Sequence, residues 1–138
     1  MPAGTYPALD DAEGWRRHIA AGDSNILDNY LAHVPDIRGT VTEIREGDAR
    51  GFELVPEGVA PSDRRVYLEI HGGALIMGGG AVCRKMAMAT AARHNVRVVA
   101  VDYRMPPDRP YPAGLDDCVA FYRMLLRDHA PGEIVAGG

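Results

Sequence analysis

The stretch from Glu69 to Gly80, EIHGGALIMGGG, holds five glycines in twelve residues directly after a strand-like run. Glycines there let the backbone approach another group closely, or turn where a side chain is not tolerated. The group approached is a phosphate, a reacting ester or another part of the protein. A dinucleotide fingerprint starting at Gly72 needs glycine at positions 74 and 77, which are Ala74 and Met77. A phosphate-binding Walker loop needs lysine where Gly79 stands, and that lysine carries the charge that meets the phosphates. Both phosphate readings fail. On these residues alone, an ester-binding backbone cradle and a strand-to-helix turn without function remain open.

The other reactive side chains are sparse. The two serines are Ser62, in the loop APSDRR, and Ser24, in GDSN. GDSN has the letters of a serine-hydrolase opening, but a helical segment, WRRHIAA, precedes it rather than a buried strand. The expectation is that Gly22 ends one helix and that Asp23 or Ser24 caps the next. His18, His33, His71, His94 and His129 show no metal-ligand spacing, and neither do Cys83 and Cys118. The cysteines read as small buried hydrophobes without a disulfide. No metal or cofactor is expected.

These groups need elements to position them. Residues 9–20 suit a helix with Trp15, His18 and Ile19 on one face, broken at AGDSN. Ile26, Leu27, Tyr30 and Leu31 make a second short apolar stripe, so the two segments form a lid or a packing arm. Residues 41–46 and 51–56 read as an antiparallel hairpin turning at Gly47 and Asp48. Strands follow at 65–71 and 97–103, with a helix at 82–94 between them and Asn95 as its C-terminal cap. Four prolines in the eleven residues 104–114 exclude regular structure. A helix then starts near Ala113 with Leu115, Cys118, Val119, Tyr122, Leu125 and Leu126 on one face, and EIVAGG is a fifth strand. Alternating strands and helices imply a mostly parallel sheet with right-handed crossovers and the hairpin at its edge.

The chain has 138 residues and a net charge of −4, which gives no basic footprint for nucleic acid or an anionic membrane. No apolar run is long enough to span a bilayer. The start lacks the basic and apolar regions of a signal peptide, so a cytoplasmic location is the expectation.

HGGA after a buried strand resembles the HGGG-type loop that supplies oxyanion-hole N–H groups in lipases and esterases. Further on, Asp102-Tyr103-Arg104 is followed by Met105-Pro106-Pro107, Tyr111-Pro112-Ala113 and Asp116-Asp117. This order and distance from HGG resemble the hormone-sensitive-lipase-like carboxylesterases, a branch of the α/β-hydrolases. The likeness runs from about Arg65 to the last residue, and Ala74 replaces the usual third glycine. It implies an α/β-hydrolase fold and cleavage of small acyl esters through an acyl-enzyme, with lactone or N-acetyl hydrolysis as alternatives on the same scaffold. Gly72 and Gly73 would donate N–H groups to the oxyanion, His71 would support the loop, and Ala74 and Leu75 would touch substrate. Gly78 to Gly80 would swing the chain into the next helix.

The resemblance also implies what lies beyond this chain. Gly138 would open the nucleophile elbow, and the serine, aspartate and histidine of the triad would follow later. Residues 1–38 would then be a helical cap segment, and 39–138 the first part of a hydrolase domain that is incomplete in this chain. The alternative to an esterase is a non-catalytic fragment that acts only by association with its C-terminal half; the partners expected are that half and a second copy in a homodimer. Tyr103 and Arg104 should anchor the loop and the sheet end. Glu69, inside a buried strand, needs a partner, and Arg104 is the candidate by proximity.

Overall fold

The computed structural model describes residues 6–138. Helix α1 spans Ala12–Asn25, and Asp11 caps it by accepting a 2.7 Å hydrogen bond from the Gly14 N–H. Strands β1 (Gly39–Glu46) and β2 (Ala49–Pro56) form the hairpin. β3 (Val66–Ile70), α2 (Ala81–His94), β4 (Arg97–Val101), α3 (Ala113–Leu125) and β5 (Ile134–Gly137) follow in turn.

The sheet order is β1-β2-β4-β3-β5. β3 pairs in parallel with both β4 and β5, while β2 is antiparallel to β1 and β4. The hairpin thus occupies one edge, and the parallel strands present their carboxyl ends together. Alternation along β4 explains its continuous apolar run. Val98 and Ala100 pack with Ala87 and Met88 of α2, whereas Val99 and Val101 pack with Phe121 and Leu125 of α3. A strand covered on both faces has no polar side to show. Asn95 caps α2 in the left-handed conformation, as its sequence position suggests.

Two expectations are corrected. AGDSN does not break the first helix: α1 runs through Gly22, Asp23 and Ser24 and then widens into a π-helical turn over Ile26–Tyr30. Glycine inside a helix costs about 1 kcal/mol, but here it lets the helix approach another segment. A Cβ at Gly22 would stand 3.3 Å from the Met77 sulfur. Neither neighbour caps a second helix. Asp23 instead accepts a bond from the Gly78 N–H at 2.8 Å, and the Ser24 hydroxyl donates to Asp28 at 3.2 Å.

The buried face of α3 is also rotated from the apolar stripe. Asp117, Phe121 and Leu125 point inward, while Leu115, Val119, Tyr122 and Leu126 lie outward. An acidic residue in the core defeats a reading based on apolar spacing, and Asp117 is there because it takes an arginine. Among the described residues, no helix is long and apolar enough to cross a membrane.

Candidate active-site loop

The HGG segment leaves the carboxyl end of β3. His71 is buried, and its Nδ1 lies 2.8 Å from the Gly72 carbonyl oxygen. Its ring stacks on Tyr103, with centroids 4.1 Å apart and planes 8° from parallel. The Tyr103 hydroxyl donates to the His71 carbonyl at 2.8 Å. Burial raises the Tyr103 phenol to about 12, with smaller contributions from Cys118 and Cys83, so the hydroxyl keeps its proton.

Gly73 has φ +127, and a Cβ there would overlap the Met77 carbonyl oxygen. Its own carbonyl accepts from the N–H groups of Ile76 and Met77 at 3.1 and 3.0 Å, which closes a tight turn. Ala74 and Leu75 lie within that turn at φ +55 and +61, and both are exposed. Left-handed backbone at residues other than glycine costs about 1–3 kcal/mol each, so the surroundings must hold the turn in place. Among the described residues, no hydrogen bond engages the N–H groups of Gly72, Gly73 or Ala74. A Cβ at Gly72 would meet nothing within 4 Å, so this backbone faces open space.

The far end of the loop is pinned twice. Asp23 holds the Gly78 N–H, and Asp102 accepts from the Gly80 N–H at 2.9 Å. Asp102 is buried, and its second oxygen lies 3.0 Å from Arg50 Nε. Gly78 and Gly80 have φ +97 and +57 and turn the chain into α2, as their spacing suggests. Asp102 is a loop anchor, a role the sequence reading gave only to its motif neighbours Tyr103 and Arg104. Its signal was a carboxylate closing an otherwise apolar buried strand.

Arg104 is not the partner of Glu69. Its guanidinium and backbone N–H bind Asp117 at 2.8–3.1 Å, fixing the exit of β4 to α3. Asp117 has the geometry to compete better, because it offers both oxygens to one planar fork. Glu69 is buried, and its Oε2 has no partner among the described residues. Burial holds its carboxyl above the ordinary range, opposed in part by Thr90, His71 and His94. Cys83 and Cys118 are free thiols, raised by burial first.

Beside Leu75, an apolar groove runs between Ile70, Tyr103, Pro106, Tyr111, Leu115 and Cys118. Ser62 and Ser24 do not approach the loop: one lies in the turn before β3, the other on the outside of α1.

A mixed sheet with crossover helices on both faces, and a glycine loop at the carboxyl end of one strand, defines the class. A family model described as the α/β-hydrolase fold matches residues 67–138, more than half of the chain. An acetyl-hydrolase of Streptomyces hygroscopicus is 38% identical over 80 residues, covering 57% of this chain and 27% of that protein. Carboxylesterase NlhH of Mycobacterium tuberculosis is 43% identical over 78 residues, covering 53% and 24%. Among solved structures, that of an esterase, E25, superposes with a TM-score of 0.80 at 28% identity, covering 96% of this chain and 40% of that one. An esterase of the bacterial hormone-sensitive lipase family superposes at 0.68 with 27% identity, covering 100% and 42%. The chain belongs to the α/β-hydrolase fold family, in its hormone-sensitive-lipase-like branch. It spans about a quarter to a third of the length of the curated relatives it matches.

Proposed function

We propose that this chain carries the oxyanion loop of a serine carboxylesterase that cleaves small acyl esters through an acyl-enzyme. The observation behind this reading is the pair of unengaged N–H groups at Gly72 and Gly73, held at the carboxyl end of β3. Ligands of open α/β sheets bind at that end. Attack of a serine on an ester puts negative charge on the former carbonyl oxygen. N–H groups aimed at that oxygen stabilise it, and losing one donor costs about 3 kcal/mol of barrier.

The serine belongs to a segment following β5 in the longer enzyme. β5 runs parallel beside β3, with Glu69 opposite Gly137, so its carboxyl end rises next to the loop. Residues following it enter the space that Gly72 faces, and the N–H after the serine would complete the hole. His71 acts as loop support, since Nδ1 is committed to Gly72 and the ring to Tyr103. Ala74 and Leu75 present themselves to the substrate. In this reading residues 1–38, of which 1–5 lie outside the described residues, are a cap segment on the hydrolase part 39–138, and the Asp23–Gly78 bond and the Arg16–Asp108 pair at 2.7 Å support it. The remainder of the hydrolase domain is the natural cover for the outward apolar residues of α3. A cytoplasmic setting suits two free cysteines.

The test is Gly72→Ala in the enzyme that carries this chain. Within this chain a Cβ there meets nothing within 4 Å, so the added methyl group crowds the space proposed for the reacting ester rather than this chain's own packing. Hydrolysis of a short-chain ester should fall tenfold or more with the melting temperature unchanged. Full activity would sink the assignment. Removal of acetyl groups is a second reading, favoured by the Streptomyces relative, which is named an acetyl-hydrolase. Rates on an acetyl ester and an N-acetyl amide discriminate the two.

A further inference from the structure

His71, Cys83 and Asp102 come from the ends of β3 and β4 and the first turns of α2, and no sequence spacing links them. The fold brings one ligand-type atom of each within 4.8 Å of the others, and all three residues are buried. The neighbour of His71 sets its tautomer. Nδ1 faces a carbonyl oxygen, which only accepts, so Nδ1 carries the proton. Nε2 is buried and without a hydrogen-bond partner among the described residues, which leaves it free to ligate. Metal-ligating histidines are oriented in the same way, with the other ring nitrogen donating to a carbonyl or carboxylate. The Cys83 thiol donates a hydrogen bond of 3.7 Å to the Val101 carbonyl, which a bound ion would replace. Asp102 adds a carboxylate that already accepts from the Gly80 N–H and pairs with the Arg50 guanidinium.

We propose that His71, Cys83 and Asp102 form a site beneath the glycine loop for a thiophilic divalent cation of the zinc type. Imidazole, thiolate and carboxylate are the donor set such ions take. Ligand atoms around a tetrahedral ion with bonds of about 2.0–2.3 Å stand roughly 3.3–3.8 Å apart, so the three need to close by about an ångström. On binding, the Cys83 S–H bond breaks, sulfur bonds to the ion and the proton passes to solvent. No electrons are exchanged. The route in is the cavity that Asp102 shares with Arg50, Gly80 and Arg84. The Arg50 charge opposes the ion and limits affinity. Occupancy ties together the three elements from which the loop hangs.

Cobalt(II), added to the full chain, tests this directly. A thiolate-to-cobalt charge-transfer band should appear in the near ultraviolet, and zinc should displace it and raise the melting temperature. Cys83→Ala and Cys83→Ser should each lose the band and the shift, while Cys118→Ala keeps both. The serine variant preserves side-chain size, so loss of signal there does not reflect a cavity. No band in the unaltered chain, a band that survives both Cys83 substitutions, or one lost in Cys118→Ala would overturn the proposal.

Discussion

Tyr103 and His71 are locked face to face and hydroxyl to carbonyl: the rings stack at 4.1 Å, and the Tyr103 hydroxyl donates to the His71 backbone at 2.8 Å. Tyr103 follows β4 and His71 follows β3, so one side chain ties together the ends of two adjacent parallel strands. The glycine loop starts from that tie.

Tyr103→Phe keeps the stack and removes the donor. A buried carbonyl left without its bond costs about 1–3 kcal/mol. Urea denaturation should show a loss in that range, and ester hydrolysis by the enzyme should fall with it. A variant as stable as the parent would mean that water replaces the hydroxyl.

Gly73→Val should behave differently from the alanine substitution at Gly72. Position 73 combines φ +127 with the Met77 carbonyl at the site of a side chain. Both strain and overlap destabilise, by about 1–3 kcal/mol for the backbone conformation alone. The melting temperature should drop together with hydrolysis. An unchanged melting temperature would show that the turn relaxes without cost.

Asp117→Ala leaves the Arg104 guanidinium and N–H without their acceptor. Breaking a buried ion pair on one side costs about 3–5 kcal/mol, and partial exposure of Arg104 favours the lower end. Chemical denaturation of the variant measures this. A loss below 1 kcal/mol would mean that Asp48, 3.7 Å from Arg104, takes over.

Glu69 gives a pH signature. Burial raises its carboxyl above 4.5 in the folded protein. Between the unfolded and the raised folded value, the folded state binds more protons. The Glu69 contribution to stability therefore declines as pH rises through that window. Glu69→Gln should remove this decline and leave the protein more stable at neutral pH. A stability profile with the same slope in the variant would exclude Glu69 as its source.

Much of the fold was legible in the chain because local physics writes it there. The β4 run RVVAV has no polar alternation because both faces are covered, and Asn95 marks a helix end because it tolerates the left-handed conformation. The exclusion of phosphate chemistry needed only the residues at positions 74, 77 and 79.

Tertiary structure decided what local pattern could not. Gly22 reads as a helix stop, yet close approach to Met77 and the Asp23–Gly78 bond keep α1 continuous. The partner of Arg104 is Asp117 rather than Glu69, because pairing depends on where α3 docks, and Asp117 is what turns that helix inward. The convergence of His71, Cys83 and Asp102 has no trace in sequence spacing, since three separate elements supply one atom each. Sequence determines the backbone states that each segment prefers. Which distant side chains share a buried space is set only when the sheet closes and its helices pack.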